Sequence, residues 1–341
     1  MTYVNSHPTI HSQAATPATR RYAPENSLQT EDPFLRDVVL GLQKSPKQIP
    51  CKYFYDERGS VLFTEICRTQ EYYITRTELT LLNDSLTEIA DLIGRSATII
   101  EYGSGEGRKI RNLLSALHQP KSYVPIDISA EILLRSCRQL SHQFPEVAIH
   151  PVVGDYTEDI QLPDSVVRSG AGRRVVFFPG STISNFTPEE ARQFLKNTQS
   201  LLRPGDGLLL GVDLIKSPAR LHQAYNDQRG ITAQFNLNLL QRINRELGGN
   251  FDMDNFEHYA YFNPQESRIE MHLVSLQDQW VKVGGRRFHF AAGENIHTEN
   301  SYKYSLQNVA QMGADCGFQH LRAWSDPEQL FSIHYLVSEA H

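Results

Sequence analysis

The chain has 341 residues, and 33 Lys and Arg against 39 Asp and Glu leave a net charge of -6. Acids and bases are interspersed, so no basic run marks a nucleic-acid groove, and no apolar run of about 18 residues is long enough to cross a bilayer. The length allows roughly two domains, or one core carrying a large insertion.

Cys51, Cys67, Cys137 and Cys316 form no C-x-x-C pair and no zinc spacing, and the histidines include no H-E-x-x-H. Reduced thiols and no metal are expected. The start, Met1 to His7, lacks the positive segment and apolar stretch of a secretory signal, so a cytoplasmic location is expected.

Residues 1 to about 30 are polar and rich in Ser, Thr, Ala, Gln and Pro, the composition of a flexible arm. Asp32-Pro33 opens a short amphipathic helix over Phe34 to Leu42, which Gln48-Ile49-Pro50 ends. Tyr53-Phe54-Tyr55 is an aromatic run followed by a cap-and-turn sequence, Asp56 to Gly59. A helix with Leu62, Phe63 and Ile66 on one side comes next. After Tyr72-Tyr73, Thr75 or Thr77 is expected to cap a long helix running through Leu79, Leu82, Leu86 and Ile89. Tyr55, Tyr72 and Tyr73 are either semi-buried core aromatics or ligand-facing groups; their residue type alone leaves both readings open.

The apolar, β-branched run Thr98-Ile-Ile-Glu101-Tyr then meets three alternating glycines, Gly103, Gly105 and Gly107, and a helix-compatible segment. Strand, tight turn and helix in that order open a βαβ unit able to hold a nucleotide-like ligand, with helix N–H groups aimed at it. The glycine spacing is not the G-x-G-x-x-G of a dinucleotide dehydrogenase. A second strand, Ser122 to Ser129, carries Asp127, an acid placed either for a ribose diol or for the start of the next helix. A third strand, Val147 to Val153, ends in Asp155-Tyr156, suited to bond and stack a purine or simply to form a turn. A polar linker around Pro163 to Arg174 precedes a fourth strand, Val175 to Phe178. The loop Pro179 to Phe186, containing Asn185, follows it. Thr187-Pro188 starts the next helix, and a fifth strand ends at Asp213. Strand, loop and helix thus recur from about 98 to 215.

Beyond Leu214 the pattern changes. Lys216 to Asp227 reads as a loop or short helix and Ile231 to Leu247 as a long amphipathic helix. Phe256 to Phe262 reads as a less regular aromatic segment. Arg268 to Ser275 and Trp280 to Phe290 alternate like antiparallel strands, the latter across a Gly-Gly turn. Asn295 to Lys303 reads as the lead into a helix, with Glu299 and Ser301 at its N-terminus. A helix near Leu306 to Ala314, a loop through Trp324 to Pro327 and a final strand, Phe331 to Val337, complete an antiparallel edge on the sheet.

Several separated segments together carry a resemblance that spacing alone does not supply. Lys52-Tyr-Phe-Tyr-Asp-Glu-Arg-Gly-Ser60, Glu71-Tyr-Tyr-Ile-Thr-Arg-Thr-Glu78, Glu101-Tyr-Gly-Ser-Gly105 and Phe178-Pro-Gly-Ser-Thr-Ile-Ser-Asn-Phe186 resemble the histidine-specific methyltransferases that make hercynine in ergothioneine biosynthesis. Asp213-Leu-Ile-Lys216, Ala224-Tyr-Asn-Asp227 and Ile269-Glu-Met271 extend the resemblance over about residues 30 to 340. It implies an α/β fold: a class I methyltransferase Rossmann-like sheet with an inserted α+β substrate domain. The implied organisation is a flexible arm over 1–30, and a helical cover with the S-adenosylmethionine-binding core over 31–215. A substrate-binding domain over 216–300, also receiving N-terminal residues, and a C-terminal completion of the core over 301–341 follow.

The resemblance also implies roles. Gly103, Lys109, Asp127, Asp155 and Tyr156 would hold S-adenosylmethionine, Asp127 at its ribose and the Asp155-Tyr156 pair around its adenine. Asn185 and Tyr225 would orient the amino and carboxylate groups of the substrate; Glu299 and Ser301 would read its imidazole, with Glu299 favouring a cationic ring. Tyr72 and Met271 would complete the pocket, and Tyr55 would stand near the reacting amine. Tyr55 and Asn185 are the expected catalytic residues. The expected partners are free L-histidine and its mono- and dimethylated intermediates, with no nucleic acid and no membrane. An amino-acid N-methyltransferase acting on tryptophan or another amine, or a non-catalytic binding protein of the same fold, would share the cofactor half. Glu299 argues against a purely apolar indole pocket.

Overall fold

A computed structural model describes residues 32–105, 107–158, 160–168 and 172–340; the arm expected over 1–30 lies outside them. Helix α1 (Pro33–Gln43) begins where expected, because the Asp32 carboxylate accepts from the Phe34 and Leu35 N–H groups and proline occupies the first helical position. A two-residue strand, β1 (Lys47–Gln48), and a 3-10 turn, Cys51–Phe54, follow. Asp56 caps α2 (Glu57–Ile66) through the Gly59 N–H at 2.7 Å.

The long helix α3 (Ile74–Ile93) differs from expectation at its start. Its N-cap is Tyr73, with no side-chain cap, and both threonines lie inside the helix: the Thr77 hydroxyl donates back to the Tyr73 carbonyl at 2.9 Å. The first turn is tied from outside instead, by Arg76 donating to the Thr69 and Tyr72 carbonyls.

The core sheet is built from β2 (Thr98–Tyr102), β3 (Ser122–Asp127), β4 (Ala148–Ile149), β5 (Val152–Val153), β6 (Arg174–Phe178) and β7 (Gly207–Asp213). The expected third strand is split, because Pro151 has no N–H to give; the break falls at the sheet edge, where it is tolerated. The crossovers are α4 (Arg108–Ala116), α5 (Ala130–Gln143), the one-turn α6 (Asp164–Val167) within the expected linker, and α7 (Pro188–Leu201), whose Thr187–Glu190 capping box is complete.

Alternate residues of each strand feed opposite faces. Ile99, Val175, Phe177 and Leu209 pack with Ile89 and Ile110. Ile100, Val124, Val176, Phe178 and Leu210 pack with Phe194 and Leu195. Both faces are dry, which is why these strands read as continuous apolar runs.

The chain then leaves the core through α8 (Pro218–Tyr225) and α9 (Ile231–Leu247). Strands β8 (Phe256–Asn263), β9 (Arg268–Ser275), the hairpin β10 (Gln279–Val283) and β11 (Arg286–Phe290), and β12 (Asn295–Tyr302) follow. It returns through α10 (Leu306–Ala314), β13 (Phe318–Ser325) and β14 (Phe331–Ser338). Three of these strands depart from the sequence reading. β8 is a regular strand rather than an irregular segment, β12 replaces the expected helix lead, and β13 replaces the expected loop through Trp324. Glu299 and Ser301 are therefore strand residues, and the cap of α10 is Ser305.

The core sheet has the order β13-β14-β7-β6-β2-β3-β4, with β5 also on β3; the strands are parallel except for β14, antiparallel to both neighbours. The chain starts in the middle at β2 and winds first one way and then the other, so a crevice opens at the carboxyl ends of β2 and β6. A second sheet, β1-β12-β9-β8, stands beside it, and β1 brings the N-terminal segment into that sheet in parallel with β12. Between His297 and Glu299 the β12–β9 register shifts by one residue, a β-bulge. Glu299 therefore sits directly across from Met271.

Candidate active site

At the end of β2 the three glycines all take positive φ: +67° at Gly103, +48° at Gly105 and +67° at Gly107. Gly107 is the N-cap of α4, and a Cβ there would stand 2.7 Å from Ser136 Oγ, so both conformation and space require glycine. Above Gly105 nothing lies within 4 Å of where a Cβ would be, and above Gly103 the nearest atom is Tyr156 Cε1 at 3.6 Å. The buried Ser104 hydroxyl has no hydrogen-bond partner among the described residues. An open cradle with an unmet polar atom fits a polar ligand lying over the turn.

Asp127 ends β3, and its carboxylate accepts from the Gly105 N–H at 3.1 Å and the Ser129 N–H at 2.9 Å. It thus fixes the glycine turn and opens α5 together. Burial raises its pKa, against the pull of those N–H groups. Asp155 accepts from the Thr157 N–H and hydroxyl and from Lys52 Nζ at 3.1 Å. Burial opposes its charge, but these donors outweigh it and the net shift is downward. Through Lys52 the N-terminal segment reaches this edge of the crevice. Tyr156 leans on Tyr102, Phe178 and Phe194, with ring centroids 5.5 to 6.3 Å away.

Lys109, on the first turn of α4, is ion-paired with the buried Glu78 of α3, whose other oxygen accepts from the Gly180 N–H at 2.8 Å. Glu78 thereby joins the glycine-turn helix to the loop after β6. It closes the Glu71 to Glu78 segment that carries the resemblance, but had no role there, and its place four residues into a helix gave no sign of this one.

That loop ends in the 3-10 turn Thr182–Asn185, and the Asn185 side chain lies against the Cys51 thiol. Burial, with Glu299 next, pushes the Cys51 thiol far up. Tyr55, Tyr72 and Tyr225 complete an aromatic chamber: Tyr72 meets Tyr225 edge-on at 6.2 Å, and Phe63 meets both Tyr55 and Tyr72. Burial drives the phenols of Tyr55 and Tyr72 well above their ordinary range, with Glu299 contributing to both. Glu299 itself is raised to about 7, by burial, with Lys303 pulling it back. The neighbouring tyrosines separate cleanly. Tyr72 faces the chamber, whereas the Tyr73 hydroxyl turns away to the Asp213 carboxylate, at 2.8 and 3.0 Å.

Behind the chamber lies a network that motif spacing missed. Asp213, at the end of β7, is wholly buried and pairs with Lys303 at 2.9 Å and Lys216 at 2.6 Å. Lys303 also donates to Ser301 Oγ at 2.7 Å and Tyr225 Oη at 3.2 Å, and those two hydroxyls are 2.6 Å apart. Burial lowers Lys216 to about 8; for Lys303 burial also opposes the charge, but Asp213 and Tyr225 outweigh it and the net shift is upward. Asp213 and Lys216 stood in a quoted motif without a role; Lys303 follows Ser301 by two residues and so shares its strand face.

A separate cluster, Glu270, His272 and His297, brings three possible ligand atoms within 4.8 Å. Its atoms already serve each other: His272 bonds Asn295 and Glu270, and Glu270 pairs with Arg268 at 2.7 Å. Its place is in the packing of β9 against β12.

The geometry thus provides an open glycine cradle at the end of β2 and a cluster of tyrosines, Tyr55, Tyr72 and Tyr225, with the partly buried Glu299 carboxylate near it. A family model described as histidine-specific methyltransferase, SAM-dependent, matches residues 34–338. The histidine N-alpha-methyltransferase of Mycobacterium tuberculosis is 44% identical, over 87% of this chain and 92% of that protein. The enzyme of the same name from Mycolicibacterium smegmatis is 41% identical, over 89% and 94%. The ergothioneine biosynthesis protein 1 of Neurospora crassa is 30% identical over 93% of this chain, which spans 36% of that longer protein.

Proposed function

The chain belongs to the histidine-specific, S-adenosylmethionine-dependent methyltransferase family, and from that membership we propose that it transfers three methyl groups in succession to the α-amine of L-histidine, giving hercynine for ergothioneine biosynthesis. Mono- and dimethylhistidine are its intermediates. The observation that carries the acceptor assignment is the Glu299 carboxylate, partly buried and set across from Met271 at the edge of the tyrosine chamber. A carboxylate there accepts an N–H from a ring that an indole-shaped apolar wall would not serve.

S-adenosylmethionine supplies an electrophilic methyl on a sulfonium, so no metal is needed. The open glycine cradle, Asp127, and the Asp155-Tyr156 pair are the residues that would hold it. Lys109, held by Glu78, fixes the turn beneath. What remains for the chain is to present a neutral amine in line and to keep water out, work that orientation accomplishes. Asn185 orients the amine. Tyr55 keeps its proton at neutral pH because burial raises it so far, so it acts as a hydrogen-bond partner of the amine rather than as an anionic base. The amine's proton then leaves through water. The faces of Tyr55, Tyr72 and Tyr225 suit the growing quaternary ammonium.

In this proposal the parallel core serves the cofactor, and the amino acid is met by the inserted sheet, which runs on to Tyr302 and so includes Ser301 rather than ending at residue 300, together with Tyr55, Tyr72 and Asn185. Mass spectrometry after incubation with S-adenosylmethionine and a panel of histidine, tryptophan, tyrosine and histamine tests it. Successive gains of one, two and three methyl groups on histidine are expected. Trimethylated tryptophan without a histidine product would overturn the acceptor.

A further inference from the structure

Lys303 has no exposed side-chain surface, and its three ammonium protons meet three acceptors: Asp213 Oδ2, Ser301 Oγ and Tyr225 Oη. An ammonium donates and never accepts. Each of the two hydroxyls therefore spends a lone pair on Lys303, and the direction of the remaining bonds follows from their neighbour Ser184. The Ser184 proton goes to the Ser181 carbonyl, so towards Ser301 Oγ, 3.3 Å away, Ser184 can only accept. Ser301 gives its proton to that side. It then has none for Tyr225, and the 2.6 Å contact between them runs from the more acidic phenol to the serine. Ser301 Oγ is left with both lone pairs filled, by Lys303 and Tyr225, and with one proton to give.

We infer that Lys303 is a positioning residue that makes Ser301 an obligate hydrogen-bond donor, so that the pocket selects a neutral imidazole with one N–H for Glu299 and one bare nitrogen for Ser301. This rests on the reading that histidine is the acceptor. Glu299 and Ser301 are two apart on β12, hence on one face, and an acceptor beside a donor matches the neutral ring and not the cation. The expectation of a cationic ring, formed from Glu299 alone, is thereby reversed: the carboxylate suits either form, and the polarity that Lys303 sets at Ser301 decides between them. When the substrate enters, the serine proton transfers its bond from Ser184, a long contact, to the ring nitrogen. No covalent change is involved.

Lys303→Met keeps the length of the side chain and leaves Asp213 paired with Lys216 and Tyr73. In the full-length protein this variant is expected to raise the KM for histidine about tenfold or more, while the KM for S-adenosylmethionine and the kcat stay within about threefold. In a Ser301→Ala background the same change is expected to add less than about twofold, because the group it acts through is gone. Additive losses in the cycle, or equal losses for both substrates, would overturn the inference.

Should Lys303→Met fail to bind S-adenosylhomocysteine, and so prove unfolded, the wild-type protein answers instead. Ring-¹⁵N-labelled L-histidine bound with S-adenosylhomocysteine is expected to show one protonated and one unprotonated nitrogen by NMR; two protonated nitrogens would refute it. Wild-type protein that neither binds nor methylates histidine would instead refute the acceptor assignment beneath.

Discussion

Glu299→Gln is expected to make the protein more stable and worse at binding histidine. The ordinary pKa of a glutamate is 4.5, and in the folded chain Glu299 is raised to about 7, through burial first and despite Lys303. A carboxyl group raised on folding binds more protons in the folded state, so the contribution of Glu299 to stability is most favourable below pH 4.5 and is lost as pH climbs towards and past 7. At 1.36 kcal/mol per pKa unit, the full cost of ionising it in place is about 3 kcal/mol. By pH 8.5 that cost is fully present; at pH 5 it is under about 1 kcal/mol. Glutamine keeps the shape and cannot ionise. Guanidinium unfolding at pH 8.5 is expected to show the variant more stable by about 2–3 kcal/mol, or about 3–4 °C in Tm for a chain of this length, with the gap closing towards pH 5. Other titrating groups, such as Glu101 raised to about 8 by burial, cancel in the comparison. In the same samples calorimetry should find histidine binding weakened about 10- to 100-fold, the loss of a charged hydrogen bond. A variant no more stable than the parent at pH 8.5, or a gap that widens in acid, would refute this account.

Three further outcomes follow from the geometry. Tyr73→Phe takes a hydrogen bond from buried Asp213 and should cost about 1.5–3 kcal/mol in unfolding titrations, whereas Tyr72→Phe should leave stability nearly unchanged and raise the KM for histidine. Gly107→Ala forces a Cβ into a left-handed position against Ser136, with an expected loss of about 1–3 kcal/mol in urea melts; a Ser136→Gly partner should recover only the steric part. Asp127→Asn leaves one side-chain oxygen for the two N–H groups that Asp127 now serves, and S-adenosylhomocysteine binding measured by calorimetry should fall at least about tenfold while the fold melts normally.

The parallel core could be read from the chain because its strands are buried on both faces and each is closed by a polar turn. The long helix Ile231–Leu247 was equally plain, since its apolar period persists over the whole span. β12 was not. Asn295 to Tyr302 is almost wholly polar, and only pairing with β9 on one side and β1 on the other makes it a strand, a tertiary effect that local propensity does not report. Misreading it as a helix start hid what Lys303 does, since its two-residue step from Ser301 has meaning only in an extended chain. Thr75 and Thr77 misled for the opposite reason: both have good capping chemistry, but Arg76 had already tied the first turn. Tyr72 and Tyr73 are indistinguishable as letters, and part only because one faces the chamber and the other the end of β7.

The bulge before Glu299 carries a consequence for how acceptor choice can change. A strand displays alternate residues on each face, so a single inserted or deleted position reverses everything beyond it. Loss of Thr298 would only close the bulge and leave Glu299 across from Met271, whereas loss of Asn300, beyond it, would keep Glu299 in place and bring Tyr302 to the position of Ser301, with every residue of the glycine cradle unaltered. A lineage could therefore trade one amine for another by a three-nucleotide indel while its methyl-donor machinery stayed untouched.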